Sequence, residues 1–328
     1  MTGYKAPGKA HRDGLTFFEV ADMFSTEERA RKWFESKRWP DGPFCPHCGT
    51  FSVQSNIKHK TMTHRCRDCP KKPMFSLKTG TIMHGTKLGY RVWAIAVYAL
   101  TTNLKGVSSM RMHRELGITQ KSAWHLLHRL RKAYGHNDAE LFEGPAEADE
   151  TFVGGKRKNM PKAKREKLEG RGTTGKQAVV GIKDRKTKKV VTQVIPDTTA
   201  ETLQGFVREH VRPGATLYTD EAVAYRKMHE FAHDSVKHSV GEYVKGRVHT
   251  NGIESLWSML KRGYVGTYHK MSHKHLHRSV AAFSGRHNQR ELDTLDQMHE
   301  LVMGMEHKRL RYRDLIADNG LPSGAREE

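Results

Sequence analysis

Hydrophobic and polar positions change period along the chain, and each change marks a new kind of element. From Leu15, "LTFFEVADMFSTEERARKWFESKRW" sets Ala30, Trp33 and Phe34 on one side of a helix, with Ser25 and Glu28 as its capping signal. "GYRVWAIAVYALTTN", from Gly89, is apolar nearly all round, the pattern of a buried helix. "GVSSMRMHRELGITQKSAWHLLHRLRKA" breaks at Gly117 into a short helix, Ser108 to Leu116, and a second helix from about Gln120. That is helix-turn-helix spacing, with Ile118, Ala123, Trp124, Leu127 and Leu130 turned inward. A plain helical hairpin would read the same way. Beyond Gly135 the period falls to two. "AEADETFVGG" is a strand, and "QAVVGIKDRKTKKVVTQVIP" is two strands about a polar turn at Asp184 to Lys188. "DTTAETLQGFVREHV" is an amphipathic helix capped by Thr198 and Glu201, and "GATLYTDEAVAY" is a further strand ending in Thr219 and Asp220. Helices close the chain.

The cysteines add a small domain to this picture. All four fall in two close pairs, Cys45 with Cys48 and Cys66 with Cys69, spaced C-x2-C-x17-C-x2-C. Two knuckles joined by a hairpin suit tetrahedral thiolate coordination of one Zn²⁺. A redox dithiol is the competing reading, but it needs one pair rather than two. Four thiolates fill the coordination shell, which leaves His47 and His64 as bystanders. Phe44, Phe51, Met74 and Phe75 are the residues expected to pack around the knuckles.

Charge narrows the partner. Lys and Arg number 57 against 36 Asp and Glu, a formal net charge of +21 over 328 residues. Such a surplus favours a polyanion, because neutralising phosphates releases counterions. The longest apolar run, "VWAIAVYAL", has nine residues, whereas a membrane span needs about 20. No apolar signal segment follows Met1, so the chain is expected to be cytoplasmic, nucleoid-associated and free of membrane. Between Lys156 and Lys176, nine basic residues face two acidic ones, which suits phosphate contact or a solvated loop. Lys121 and Arg129 on the second helix of the hairpin, with Lys156, Arg157, Lys158 and Arg262, are the candidate DNA contacts.

Against this basic background the acids stand out. The strand order puts Asp149 on the first strand and Asp220 at the end of the fourth. In a ribonuclease H-like sheet these two strands are neighbours. A third carboxylate from a helix over that sheet edge would complete a site for two Mg²⁺ (or Mn²⁺) ions, with hard oxygen ligands and phosphodiester chemistry. Glu254 is the candidate. On its helix, Ile253, Leu256, Trp257 and Leu260 form the apolar stripe, while Glu254, Ser258 and Lys261 form a polar strip beside it. Asn251 and Glu254 also match a capping box, so composition leaves cap and metal ligand both open. Glu147, Glu150 and Glu221 adjoin the proposed ligands and read as surface or supporting groups. Asn288 and Arg290 look like motif residues without an evident role.

"EADETFVGGKRKN", "LYTDEAVAY" and "HTNGIESLWSMLKRGYVGTYHKMSHKHLHR" resemble the three acidic motifs of bacterial insertion-sequence DDE transposases, nearest the ISXO-like subgroup with its N-terminal zinc ribbon. The likeness spans roughly residues 15 to 292. It implies Asp149, Asp220 and Glu254 as the catalytic acids and Lys261 as their basic companion. It also implies a homodimer or higher synaptic oligomer acting on element ends and target DNA. Some members of the subgroup carry asparagine at the third position; here the residue is glutamate. The expected fold is multidomain α+β: an N-terminal helix and zinc ribbon (1–80), a helical helix-turn-helix-like region (81–140), a ribonuclease H-like α/β catalytic domain with a mixed sheet (141–292), and a C-terminal helical tail (293–328). The expected function is DNA cleavage and strand transfer. A non-catalytic regulator and a cut-only nuclease are the alternatives.

Overall fold

The computed structural model describes residues 5–6, 9–71, 73–135, 141–160, 162–166, 172–220, 223–225, 228–235 and 249–323. The chain divides into two compact units, residues 1–135 with 289–317, and residues 136–288 with 318–328. No helix among the described residues is long and apolar enough to cross a membrane.

In the first unit, helices Phe17–Met23 and Glu27–Arg38 precede three short antiparallel strands, Val53–Gln54, His64–Cys66 and Met74–Phe75. Thr26, not Ser25, caps the second helix by accepting the Arg29 N–H, while the Ser25 hydroxyl accepts from the Arg29 side chain. The ribbon packs through aromatic faces. His64 stacks on Phe75 at 5.3 Å and meets Trp39 edge-on at 4.9 Å. Phe51, expected in this cluster, is 64% exposed.

The apolar segment forms helix Tyr90–Thr102, with Trp93, Ala94, Ala96, Val97 and Leu100 buried. Helices Ser109–Leu116 and Gln120–Ala133 follow, joined through Gly117 in the left-handed region at φ 62°, where a side chain would be strained. Ser108 and Thr119 cap them through their hydroxyls. Residues 289–317 then return to this unit. Helix Thr294–Met303 packs on Tyr90–Thr102 and buries Met298, Leu301 and Val302. Leu310 is buried too, and its carbonyl accepts from Arg129 Nε at 3.0 Å. Arg129 is therefore an internal strut, 7% exposed, and not the free DNA contact expected from its helix face.

The second unit is built on a five-stranded mixed sheet. We label its elements β1 (Ala146–Val153), β2 (Gln177–Asp184), β3 (Val190–Ile195), α1 (Ala200–His210), β4 (Thr216–Thr219), β5 (Ala232–Ser235), α2 (Asn251–Gly263) and α3 (His273–Asn288). The order across the sheet is β5-β4-β1-β2-β3. β1, β2 and β3 are antiparallel neighbours, whereas β4 runs parallel to both β1 and β5. This is the ribonuclease H-like arrangement. Alternation along the strands separates two cores. Ala146, Ala148, Val180 and Ile182 face Leu203 and Phe206 of α1, while Val179 and Val153 face Ile253, Trp257 and Leu260 of α2 and Val280 of α3. Asn288 has a clear role: its side-chain amide bonds both the N–H and the carbonyl of Val190, pinning the end of α3 to β3.

Candidate active site and metal centre

Two constellations carry chemistry. The first is the cysteine cluster. Cys45 Sγ lies 3.8 Å from Cys69 Sγ, and Cys48 Sγ lies 3.7 Å from Cys66 Sγ. All four sulfurs fall within 4.8 Å of one another, and among the described residues no other set of potential ligands does so. A tetrahedron with metal–sulfur bonds of about 2.3 Å has sulfur–sulfur edges of about 3.8 Å, so the cluster fits Zn²⁺. Hydrogen bonding with Cys48, then burial, raises the Cys69 thiol pKa, and a bound cation displaces such protons. His47 and His64 stand outside the set.

The second constellation lies on the sheet of the second unit. Asp149 sits in mid-β1, opposite Gly181 of β2. Because Gly181 has no side chain, the Trp257 ring of α2 can lie directly on the sheet: a Cβ there would sit 2.6 Å from Trp257 Cη2. The close approach brings the indole N–H within 3.0 Å of Asp149 Oδ2, while the Glu150 N–H donates to Oδ1 at 2.9 Å. Ala148 pairs with Thr219 on parallel β4, so Asp149 and Asp220 each lie one residue beyond that pair, on adjacent strands. Glu254 enters from the first turn of α2 and accepts the Thr250 hydroxyl at 2.7 Å.

Asp149, Glu150, Asp220, Glu254, Trp257, Ser258, Lys261, Arg262 and Val265 line one open cleft of about 840 Å³. Its floor is acidic and its rim carries the exposed cations Lys261 and Arg262. The acids feel one another. Burial, then the charges of Asp220, Glu150 and Glu254, push the Asp149 pKa up to about 7, against the lowering effect of the Glu150 N–H. Glu150 is also raised, by burial and by Asp220, although the Tyr225 hydroxyl donates to it at 3.0 Å and works the other way. Hard oxygen donors whose mutual repulsion a cation would relieve suit a divalent metal such as Mg²⁺. The carboxylates share the cleft without all converging within 4.8 Å of one another.

Other expected residues are placed as follows. Lys156 and Lys158 are exposed, and Arg157 is partly exposed with Nη2 donating to the Arg165 carbonyl at 3.2 Å. Lys121 is exposed and lies 4.5 Å over the Tyr312 ring. Glu221 lies outside the described residues. The Asn251–Glu254 capping box does not form. Thr250 is the N-cap and makes no side-chain capping bond; the Ile253 N–H is satisfied instead by Glu147 Oε2 at 3.0 Å. Tyr225 and the Trp257 N–H were not legible as site residues, because each reaches the site across a long sequence separation. Glu147, read from its place on the Asp149 strand as a surface or supporting group, is buried and holds the start of α2.

Comparison with known proteins agrees with this architecture. Residues 142–288 match the ISXO2-like transposase domain, and residues 25–72 match the transposase zinc-ribbon domain. A protein of the transposable element ISH50 in Halobacterium salinarum is 30% identical over 253 residues, covering 73% of this chain and 83% of that protein. A transposase-like protein of Haemophilus influenzae is 28% identical over 119 residues, 35% of this chain and 95% of the relative. No solved structure matches. A zinc ribbon ahead of a ribonuclease H-like acidic cleft, matched in both parts, identifies the chain: it belongs to the ISXO2-like transposase family.

Proposed function

We propose that this transposase cleaves DNA at the ends of its own element and joins the freed 3′ ends to target DNA, with Asp149, Asp220 and Glu254 as the catalytic acids. The observation that carries the reading is that the three acids share a cleft with an acidic floor and a basic rim, in a chain of net charge +21. The three carboxylates would hold two Mg²⁺ or Mn²⁺ ions. Bound there, the ions supply Lewis-acid activation of the attacking oxygen and charge neutralisation at the leaving one. The chain's own residues supply the positioning. The Trp257 N–H and the Glu150 N–H each hold one Asp149 oxygen, so the carboxylate cannot rotate away. Thr250 does the same for Glu254. Lys261 and Arg262 bring the scissile phosphate over the acids as charge-assisted donors. Water attacks phosphorus in line and the 3′ oxygen leaves; that 3′ hydroxyl then attacks a target phosphodiester and displaces its 3′ oxygen.

The zinc ribbon and the helix-turn-helix region, with Lys121 and the Lys156, Arg157 and Lys158 segment, would engage the DNA ends. Joining two ends at once calls for a homodimer or a larger synaptic assembly, at work on DNA in the cytoplasm. The test is incubation of the full chain with Mg²⁺, labelled element ends and a target plasmid. Joined products are expected from wild type. Asp149→Asn, Asp220→Asn and Glu254→Gln should each lower cleavage and joining at least 10³-fold while DNA binding stays within a few fold. Cutting without joining would point to a nuclease, and binding without cutting to a regulator. Undiminished cleavage by Asp149→Asn would remove the active-site assignment.

A further inference from the structure

A part-buried ion pair beside the cleft touches every element that carries one of the acids. Glu147 is 2% exposed on β1, two residues before Asp149. Its Oε1 accepts from Arg185 Nε at 2.6 Å, and its Oε2 accepts the Ile253 N–H of α2 at 3.0 Å. Arg185 follows the end of β2. Its Nη2 donates to the His249 carbonyl at 2.6 Å, just ahead of α2, and its guanidinium lies 4.3 Å over the Tyr218 ring of β4. Tyr218 is two residues before Asp220, and Ile253 is one residue before Glu254. The pair thus holds β1, β4 and the N-terminal turn of α2 at points one or two residues from Asp149, Asp220 and Glu254.

We propose that Glu147 and Arg185 are positioning residues for the transposase acids, a clamp that sets Glu254 against Asp149 and Asp220 for metal binding. The proposal rests on the active-site reading given above. Glu147 is not itself a further metal ligand, because both its oxygens are committed, one to a guanidinium and one to the helix backbone. Gly252 belongs to the same device. A Cβ at that position would lie 2.6 Å from Glu147 Oε2 and 3.0 Å from Lys183, so a glycine is needed for the carboxylate to reach the helix end. Outer partners of this kind set ligand orientation, and their loss typically costs 10- to 100-fold in metal affinity. An Arg also does here what Lys cannot, since a planar fork serves two acceptors while one face lies on an aromatic ring.

The test uses the zinc-loaded full chain and reads Mn²⁺ affinity by electron paramagnetic resonance, amide exchange over the first turn of α2, and the Mn²⁺ dependence of end cleavage. Glu147→Gln keeps the shape and one acceptor, and is expected to raise the Mn²⁺ dissociation constant 10- to 100-fold. Exchange at Ile253 should quicken, and cleavage should recover toward wild type at saturating Mn²⁺. Arg185→Lys should give an intermediate loss. Gly252→Ala should weaken Mn²⁺ binding while substituting a better helix former, which keeps the test alive if Glu147→Gln does not fold. In a Glu254→Gln background, Glu147→Gln should add less than about two-fold, because both changes act through one carboxylate. Wild-type Mn²⁺ affinity in Glu147→Gln and Gly252→Ala, or effects that multiply with Glu254→Gln, would overturn the clamp. If Asp149→Asn abolishes Mn²⁺ binding and Glu147→Gln spares it, the clamp alone falls. If Asp149→Asn binds Mn²⁺ like wild type, the active-site reading falls and takes the clamp with it.

Discussion

Asp149 is a carboxylate held where its own charge is unwelcome. Its ordinary pKa is near 3.9, and in the folded protein burial and the neighbouring acids raise it to about 7. The folded state therefore holds the proton more tightly than the unfolded chain does. Stability from this group is fully present below about pH 4 and is lost as pH rises through about 7. Replacing it removes the conflict at high pH. Asp149→Asn is expected to stabilise the zinc-loaded, Mg²⁺-free protein by about 1–3 kcal/mol at pH 8, the gain reduced because one Asn atom must face a donor N–H. The gain should narrow toward pH 6. Urea unfolding at the two pH values checks this, and an Asn variant no more stable than wild type at pH 8 would show that the carboxylate is comfortable as it stands. At this scale sequence reading picked out four cysteines in matched pairs, which the fold gathers, and three acids, which line one cleft. It did not reach Arg129, whose helix face looks solvent-directed until residues 308–310 fold over it, nor the Glu147–Arg185 pair, whose partners lie 38 residues apart.

Elements meet at the site through one omission of bulk. Gly181 of β2 faces Trp257 of α2, and a methyl group there would press on the indole at 2.6 and 2.8 Å and on Ile253 at 3.1 Å. Trp257 is 4% exposed in a packed core, so the ring cannot simply swing aside. Gly181→Ala is expected to destabilise the protein by about 1–3 kcal/mol through overpacking, and to lift α2 away from Asp149. Thermal unfolding measures the first effect. Weakened Mn²⁺ binding at temperatures where the variant is folded measures the second, and a fully stable variant with normal binding would refute the argument. Element types were readable because the long strands are apolar-rich runs bounded by turn residues, buried on both faces of the sheet, while helices such as α1 and α2 carry one apolar stripe. Their ends were less so: Thr26 and Thr199 cap where Ser25 and Thr198 were expected, each one residue along, since several hydroxyls compete for one helix start. Strand β5, Ala232–Ser235, left no signal. It is a polar four-residue edge with alternating exposure, and its identity comes from pairing with β4 rather than from its own residues.

Across the whole molecule, the proposed function gives affinity for DNA and choice of DNA different sources. A net charge of +21 attracts any duplex, because counterion release does not depend on sequence. Selecting element ends requires a fixed surface, and the zinc ribbon can present one only while its metal holds it. Its three strands have two or three residues each, too few to stand without the four thiolates. Binding a structural zinc contributes on the order of 10–16 kcal/mol in small zinc modules, so the ribbon's fold and its metal are one equilibrium. The acids, by contrast, belong to the other compact unit. Cys66→Ser is therefore expected to lose stoichiometric zinc and to lower the preference for element ends over random duplex toward unity. Affinity for random duplex should stay within a few fold, and Mn²⁺ binding at Asp149 should be retained. Competition binding at one fixed salt concentration separates the two terms, since the electrostatic term is then constant. A variant that has lost its zinc yet still prefers element ends would move end recognition out of the ribbon and onto the helix-turn-helix segment around Lys121.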